Sequence, residues 1–198
     1  MSRILCVIDG MTDPHFQVER YGHLASMGSV RYVDTCGGFP PQTLHCVLRH
    51  AFERLLTKER CMLLWGQSVS VALPPFPQKS AVICGKELVK GIARLLHMEL
   101  FPVKGATGDV DTDLDAKTEA ALRAAERYPF VLLHINGADE AAHRHDSAEK
   151  ETFLRQVDDR VLSRLLASEH EIVVASDHGA DPESGAHLGG PQPFFTSR

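Results

Sequence analysis

Apolar residues in this chain fall into short unbroken runs that alternate with stretches spaced at helical intervals. RILCVI (3–8), CMLLWG (61–66), SAVIC (80–84), PFVLL (129–133) and EIVVAS (171–176) have the length and β-branched content of buried strands. Val30–Val33 predicts a further short strand, ELF a strand beginning at 99 and PQPFF (191–195) a short terminal one. Residues 16–27 are loosely helical in spacing. Leu44, Val47, Leu48, Phe52 and Leu55 repeat at a clear 3.6 period and predict a helix over 44–56. A second helix is predicted over 85–98 with Leu88, Ile92, Leu95 and Leu96 inward and Lys86 and Lys90 on the solvent side. Residues 113–127 make an amphipathic helix with acids in its first turn, where the helix dipole favours them. Asp146 and Glu149 have capping-box spacing and open a helix whose buried stripe is Phe153, Leu154, Val157, Val161 and Leu165. Strand and helix alternate throughout. The expectation is an α/β fold, a mostly parallel central sheet with helices on both faces, in a single domain spanning 1–198.

Composition narrows the class of function. A 198-residue chain with 43% hydrophobic and 24% charged residues can bury one sizeable core. Its net charge of −5, without any Lys/Arg block, argues against nucleic acid or an anionic membrane as a partner. No stretch approaches the ~20 apolar residues of a membrane span. The first apolar run is too short for a signal peptide and meets Asp9 at once. Cys6, Cys36, Cys46, Cys61 and Cys84 are odd in number, lack a CxxC and lie mostly in apolar runs. They read as buried reduced thiols of a cytoplasmic protein.

Chemistry gathers where strands end. HINGADEAAH (134–143) follows PFVLL, and its Asp139 and His143 are one helical turn apart on one face. That pair suits a divalent metal, although the same spacing also occurs on solvated helix faces. A second strand, EIVVAS, runs into Asp177-His178, with His187 nine residues beyond His178. Two strands that each end in Asp/His ligands argue for a metal site, and for two ions. RILCVI likewise delivers Asp9 into a loop, or into a plain Asp-Gly turn. Thr43 closes a Gly/Pro loop at the start of the 44–56 helix, where free N–H groups favour anions. The alternative is that Gln42 or Thr43 simply caps that helix. Thr107 can cap its Gly-bracketed turn or touch a ligand.

The blocks VIDGMTD (7–13), GGFPPQT (37–43), LLWGQSVSVALPPF (63–76), AVICGKELVKGIA (81–93), VKGATGDVDTD (103–113), the 134–143 segment and SDH…H (176–187) resemble the archaeal-type cofactor-independent phosphoglycerate mutases. They run in that family's order over nearly the whole chain. The family belongs to the alkaline phosphatase superfamily of two-metal enzymes, so the resemblance implies an alkaline-phosphatase-like core. It implies that Asp139, His143 and His187 hold one ion. Asp9, Asp177 and His178 would hold the other, together with the hydroxyl oxygen of Thr43, which stands where the mutases carry a Ser nucleophile. Carboxylate and imidazole ligands suit Mn or Zn.

The chain departs from the family in one respect. Between the helix after the nucleophile and the next strand the archaeal mutases carry a long inserted substrate-binding domain. Here that interval is LLTKER (55–60). A mutase must keep water out while it retains its intermediate, a task for a closing lid. The expectation is therefore a two-metal-dependent phosphomonoesterase or phosphotransferase acting on a small phosphorylated substrate through a phospho-threonine. The alternatives are a phosphomutase whose lid comes from another subunit of a homo-oligomer, and a non-catalytic regulator that binds metal and phosphate.

Overall fold

The computed structural model describes residues 1–35 and 74–197. Thr43, the 44–56 helix, the 61–66 strand, the 55–60 interval and Cys36, Cys46 and Cys61 lie outside the described residues. The strands are β1 (Arg3–Ile8), β2 (Ser29–Thr35), β3 (Ser80–Ile83), β4 (Glu99–Leu100), β5 (Phe130–Ile135), β6 (Glu171–Ala175), β7 (Gly179–Asp181), β8 (Ala186–Leu188) and β9 (Gly190–Thr196). The helices are α1 (Gly22–Ala25), α2 (Glu87–Leu95), α3 (Leu114–Ala125), α4 (Gly137–His143), α5 (Ser147–Gln156) and α6 (Ser163–Leu166).

Seven strands form one sheet in the order β2-β9-β6-β1-β5-β3-β4, and β7 and β8 form a separate hairpin. β1 lies at its centre, parallel to β5 from Arg3↔Phe130 to Ile8↔Ile135 and parallel to β6 from Arg3↔Glu171 to Val7↔Ala175. Among the described strands of this sheet only β9 breaks the parallel pattern, pairing antiparallel with β6 and β2. It is a seven-residue strand, longer than the short terminal one expected. Its Pro191 and Pro193, which cannot donate to a ladder, lie beyond the Phe194–Thr196 stretch that pairs with β6.

Side-chain alternation divides the core between the two faces of the sheet. On one face Ile4, Cys6, Ile8, Val131, Leu133, Ile135, Ile172 and Val174 pack with the Ala-rich side of α3 and with Phe153, Leu154, Val157, Val161 and Leu165. The chain widens to π geometry over Val157–Leu162. That suits the four-residue spacing of Val157, Val161 and Leu165, which a 3.6-residue turn would rotate off the face. Asp158 on this segment accepts from the backbone of His23 and Leu24, at 3.0 and 2.8 Å, and so starts the short helix α1.

On the other face Val82, Cys84, Ala93 and Met98 cluster, with Val89, Leu96 and Leu132 against them. Here the apolar stripe predicted for 85–98 needs correction. Leu88, Ile92 and Leu95 are 76%, 43% and 51% exposed, and Val89, Ala93 and Leu96 face the sheet. Both triplets have i, i+4, i+7 spacing, and only the packing partner decides between them. Lys90 pairs with Glu87 and Lys86 with Glu140. The capping box at α5 also forms only in part. Asp146 accepts from the backbone of Glu149 at 2.8 Å, but the Glu149 carboxylate turns away to Arg144, at 2.6 Å. β4 is a two-residue strand, and Thr107 donates to Asp111 at 2.5 Å inside its own turn.

Candidate metal centre

Parallel strands bring their carboxyl ends to one edge, and the registers of β1 with β5 and β6 set Asp9 level with Asn136 and Asp177. Asp9 N donates to Ile135 O at 2.9 Å, extending the ladder one residue past the strand. The next residue, Gly10, adopts φ +64°, and a Cβ there would lie 2.8 Å from the Asp139 Cα. Only glycine lets the Asp9 loop come that close to α4. β6 then runs into Asp177 and His178, and the hairpin β7–β8 sets His187 opposite Ala180.

The structure brings together six of the seven residues singled out from the sequence; Thr43 is the seventh. His143 Nε2 and His187 Nε2 lie 3.4 and 3.3 Å from Asp139 Oδ1 and 2.9 Å from each other. His178 Nε2 lies 3.1 Å from Asp9 Oδ1 and 3.7 Å from Asp177 Oδ2. Four ligands about 2.0–2.2 Å from a tetrahedral ion stand roughly 3.3–3.6 Å from one another. The Asp139 triangle is close to that size, and the ligand atoms of Asp9, Asp177 and His178 lie within 4.8 Å of one another. The two sets adjoin, with the His178 ring stacked on that of His187 at 3.9 Å between centroids.

The surrounding hydrogen bonds favour ligation. His143 Nδ1 is 3.0 Å from Gly185 O and His178 Nδ1 is 3.0 Å from Gly179 O. A carbonyl can only accept, so each Nδ1 carries hydrogen and each Nε2 is turned to the site. Among the described residues, Asp9 Oδ1 and Asp139 Oδ1 find no hydrogen-bond partner, although both are buried and imidazoles lie near. Buried acceptors of that kind ask for a cation or a proton.

Electrostatics carry the same signature. Burial opposes ionisation of Asp9, but the imidazoles of His134 and His178 beside it overcome that and hold the carboxyl well below the usual range. Asp139 is raised by burial and by the charge of Asp9. Asp177 is pushed up to about 6 by burial and by Asp9. Since 46% of its side chain is open to solvent, the charge of Asp9 is the more specific of the two causes. Burial would lower His178, yet Asp9 and Asp177 raise it to about 9. Burial and the neighbouring His178 lower His187. Three carboxylates crowded at one edge thus draw a positive charge, which a divalent ion supplies better than a proton.

Two supporting residues escaped the sequence reading. His134, buried in β5, places Nε2 3.4 Å from Asp9 Oδ2. Its register opposite Val7, two residues before Asp9, is the signal that could have revealed it. Lys150 is almost wholly buried beneath the loops that carry Asp9 and His178. Its place three, four and seven residues before Phe153, Leu154 and Val157, on the buried stripe of that helix, is the signal that could have found it.

Residues 76–197 match the model of the Metalloenzyme superfamily. The 2,3-bisphosphoglycerate-independent phosphoglycerate mutase of Methanoculleus marisnigri is 35% identical over 153 residues, which are 75% of this chain and 37% of that protein. Mutase 2 of Methanothermobacter thermautotrophicus is 37% identical over 138 residues, 66% of this chain and 34% of that protein. The chain thus spans little more than a third of the length of these curated relatives. The solved PH0037 protein of Pyrococcus horikoshii shares the fold, with a TM-score of 0.73 at 20% identity over 98% of this chain and 84% of that one. A family model that takes in β3 to β9, over an edge where Asp and His side chains converge, leaves one assignment: the chain belongs to the metalloenzyme superfamily.

Proposed function

We propose that this protein is a two-metal-dependent phosphomonoesterase or phosphotransferase acting on a small phosphate ester, with Thr43 as its nucleophile. The observation that carries the reading is the pair of ligand triangles, Asp139/His143/His187 and Asp9/Asp177/His178, side by side at one sheet edge. In this reading Thr43 completes the second set, and the ions are Mn or Zn. When bound, two such cations would lower the pKa of a hydroxyl and offset the charge of a phosphate monoester.

The chain's own part is preorganisation. Gly185 O and Gly179 O orient the imidazoles of His143 and His178, and His134 steadies the second oxygen of Asp9. Thr43 would accept the phosphoryl group, and water or a second hydroxyl would take it on. With only LLTKER where the mutase relatives of the resemblance carry their inserted domain, water is the favoured acceptor.

Phosphate release from 4-nitrophenyl phosphate by the purified chain, with Mn or Zn, tests the reading. Thr43→Ala should lower the rate by about 10³-fold or more, as loss of a nucleophile does. An unchanged rate would remove Thr43 from its role. Two bound ions without phosphate release would sink the phosphatase reading. Efficient conversion of 3-phosphoglycerate to 2-phosphoglycerate would replace it with a mutase.

A further inference from the structure

Lys150 is a charged residue buried where no substrate can reach it. Its side chain is 2% exposed, and a lysine so buried needs all three of its N–H donors satisfied. Three acceptors meet that need. Nζ donates to Ala180 O at 2.6 Å and to Thr12 O at 3.1 Å, and it lies 3.1 Å from Asp13 Oδ2.

Those acceptors belong to separate segments of the centre. Thr12 and Asp13 continue the loop that begins at Asp9. Ala180 is two residues past His178 and pairs in register with His187. Lys150 itself projects from α5, which packs on α4, the helix of Asp139 and His143. A single ammonium group therefore ties the Asp9 loop and the β7–β8 hairpin to the two helices.

The two ligand sets depend on this tie unequally. Asp9, Asp177 and His178 sit on chain segments already joined by the bridge Met11↔Gly179 and by Ala180 N donating to Thr12 O at 2.8 Å. Met11 N also donates to Ser176 Oγ, at 3.2 Å. The other set is divided: Asp139 and His143 are on α4, whereas His187 is on the hairpin, which α4 reaches through His143 Nδ1 and Gly185 O at 3.0 Å in the hairpin turn rather than through backbone pairing. The bond from Lys150 to Ala180 O bridges that division at the residue opposite His187.

We propose that Lys150 is the positioning residue of the metal centre, holding His187 against Asp139 and His143, so that its loss weakens one ion site and spares the other. The inference rests on the two-metal reading above. Titration of Mn²⁺ into the metal-free full chain, followed by electron paramagnetic resonance, reads each site without any catalytic turnover. Asp139→Ala identifies which binding step belongs to the Asp139 set. Lys150→Met, close in shape but uncharged, should weaken that same step by about 10- to 100-fold, the usual effect of removing a residue that orients ligands. The Asp9 set should shift by less than about threefold. Lys150→Arg keeps the charge, but its planar fork cannot reach three acceptors grouped around one nitrogen. It should therefore fall between wild type and Lys150→Met, and it takes the place of the Met variant if that one fails to fold. Equal weakening of both sites in either folded variant, or no weakening at all, would overturn the assignment. If wild type itself bound no ion, the two-metal reading would fall first, and the titration distinguishes the two failures.

Discussion

Asp139→Asn should reverse its effect on stability according to whether metal is present. In the metal-free protein Asp139 Oδ1 is buried without a hydrogen bond, and burial together with Asp9 raises its carboxyl above the usual range. A carboxyl whose folded pKa is raised costs stability when ionised, and the cost fades as pH falls through that raised value. The cost is fully present only at a pH above that raised value, where the two proteins are compared. Asparagine keeps the shape and removes the charge, so the metal-free variant should gain about 1–2 kcal/mol, on the scale of one unpartnered buried polar group. At about 2–4 °C per kcal/mol for a chain of this size, the melting temperature in EDTA should rise by roughly 2–8 °C. Metal changes the sign. An ion present at 100 times its Kd stabilises by about 2.7 kcal/mol, so two ions would contribute about 5 kcal/mol to the wild type. The variant would lose the ion proposed for Asp139, His143 and His187, and with it about half of that gain. It should then melt below the wild type in saturating Mn or Zn. Calorimetry in EDTA and in metal measures both arms. A variant that melts below wild type in EDTA, or that gains as much from metal as wild type does, would refute the reasoning.

Two further predictions follow from buried titratable groups. Lys117 Nζ is buried without a partner, and burial lowers its pKa from 10.5 to about 8. A depressed lysine costs stability below its folded pKa, and the cost disappears as pH rises from about 8 towards 10.5. Lys117→Met should therefore exceed wild type by roughly 3 kcal/mol at pH 7, and the advantage should shrink steadily up to pH 10.5. Urea unfolding of both proteins across that range checks it; the thiol of Cys6, which burial pushes up to about 12, is common to both and cancels. An advantage that does not change with pH would sink the argument. At the metal centre, burial acting against Asp9 and Asp177 leaves His178 raised to about 9, so an ion must displace its proton below that pH. Apparent metal affinity should climb about tenfold per pH unit from near 6 to near 9 and then level off, with one proton released per ion bound at the Asp9 set. Calorimetric titration in buffers of different ionisation enthalpy counts that proton, and an affinity flat across the range would exclude His178 as a ligand.

How much of this was legible beforehand depended on whether a feature is local. A parallel strand that ends in Asp or His places that side chain at the active edge whatever the rest of the chain does. The candidate ligands Asp9, Asp139, Asp177 and His178 could therefore be read without knowing the strand order, whereas His187, on the β7–β8 hairpin, entered as a ligand through the family resemblance. The stripe Phe153, Leu154, Val157, Val161 and Leu165 was legible for the same reason, since all five face inward as its spacing predicts. Features set by a distant partner were not. Leu88/Ile92/Leu95 and Val89/Ala93/Leu96 are equally good stripes, and the sheet selects the second. Lys117 and Lys150 fall by spacing on the buried stripes of their helices, but a lysine there usually snorkels its ammonium to solvent, and the packing instead encloses the first between α3 and the sheet and the second beneath two loops. The two lysines also differ in a way no periodicity can show. Lys150 has a full set of acceptors and Lys117 has none. By burial alone they are alike, so removing the charge should damage the metal centre at one and stabilise the fold at the other. That contrast follows from where the acceptors lie, and a mutational comparison of the two sites measures it directly.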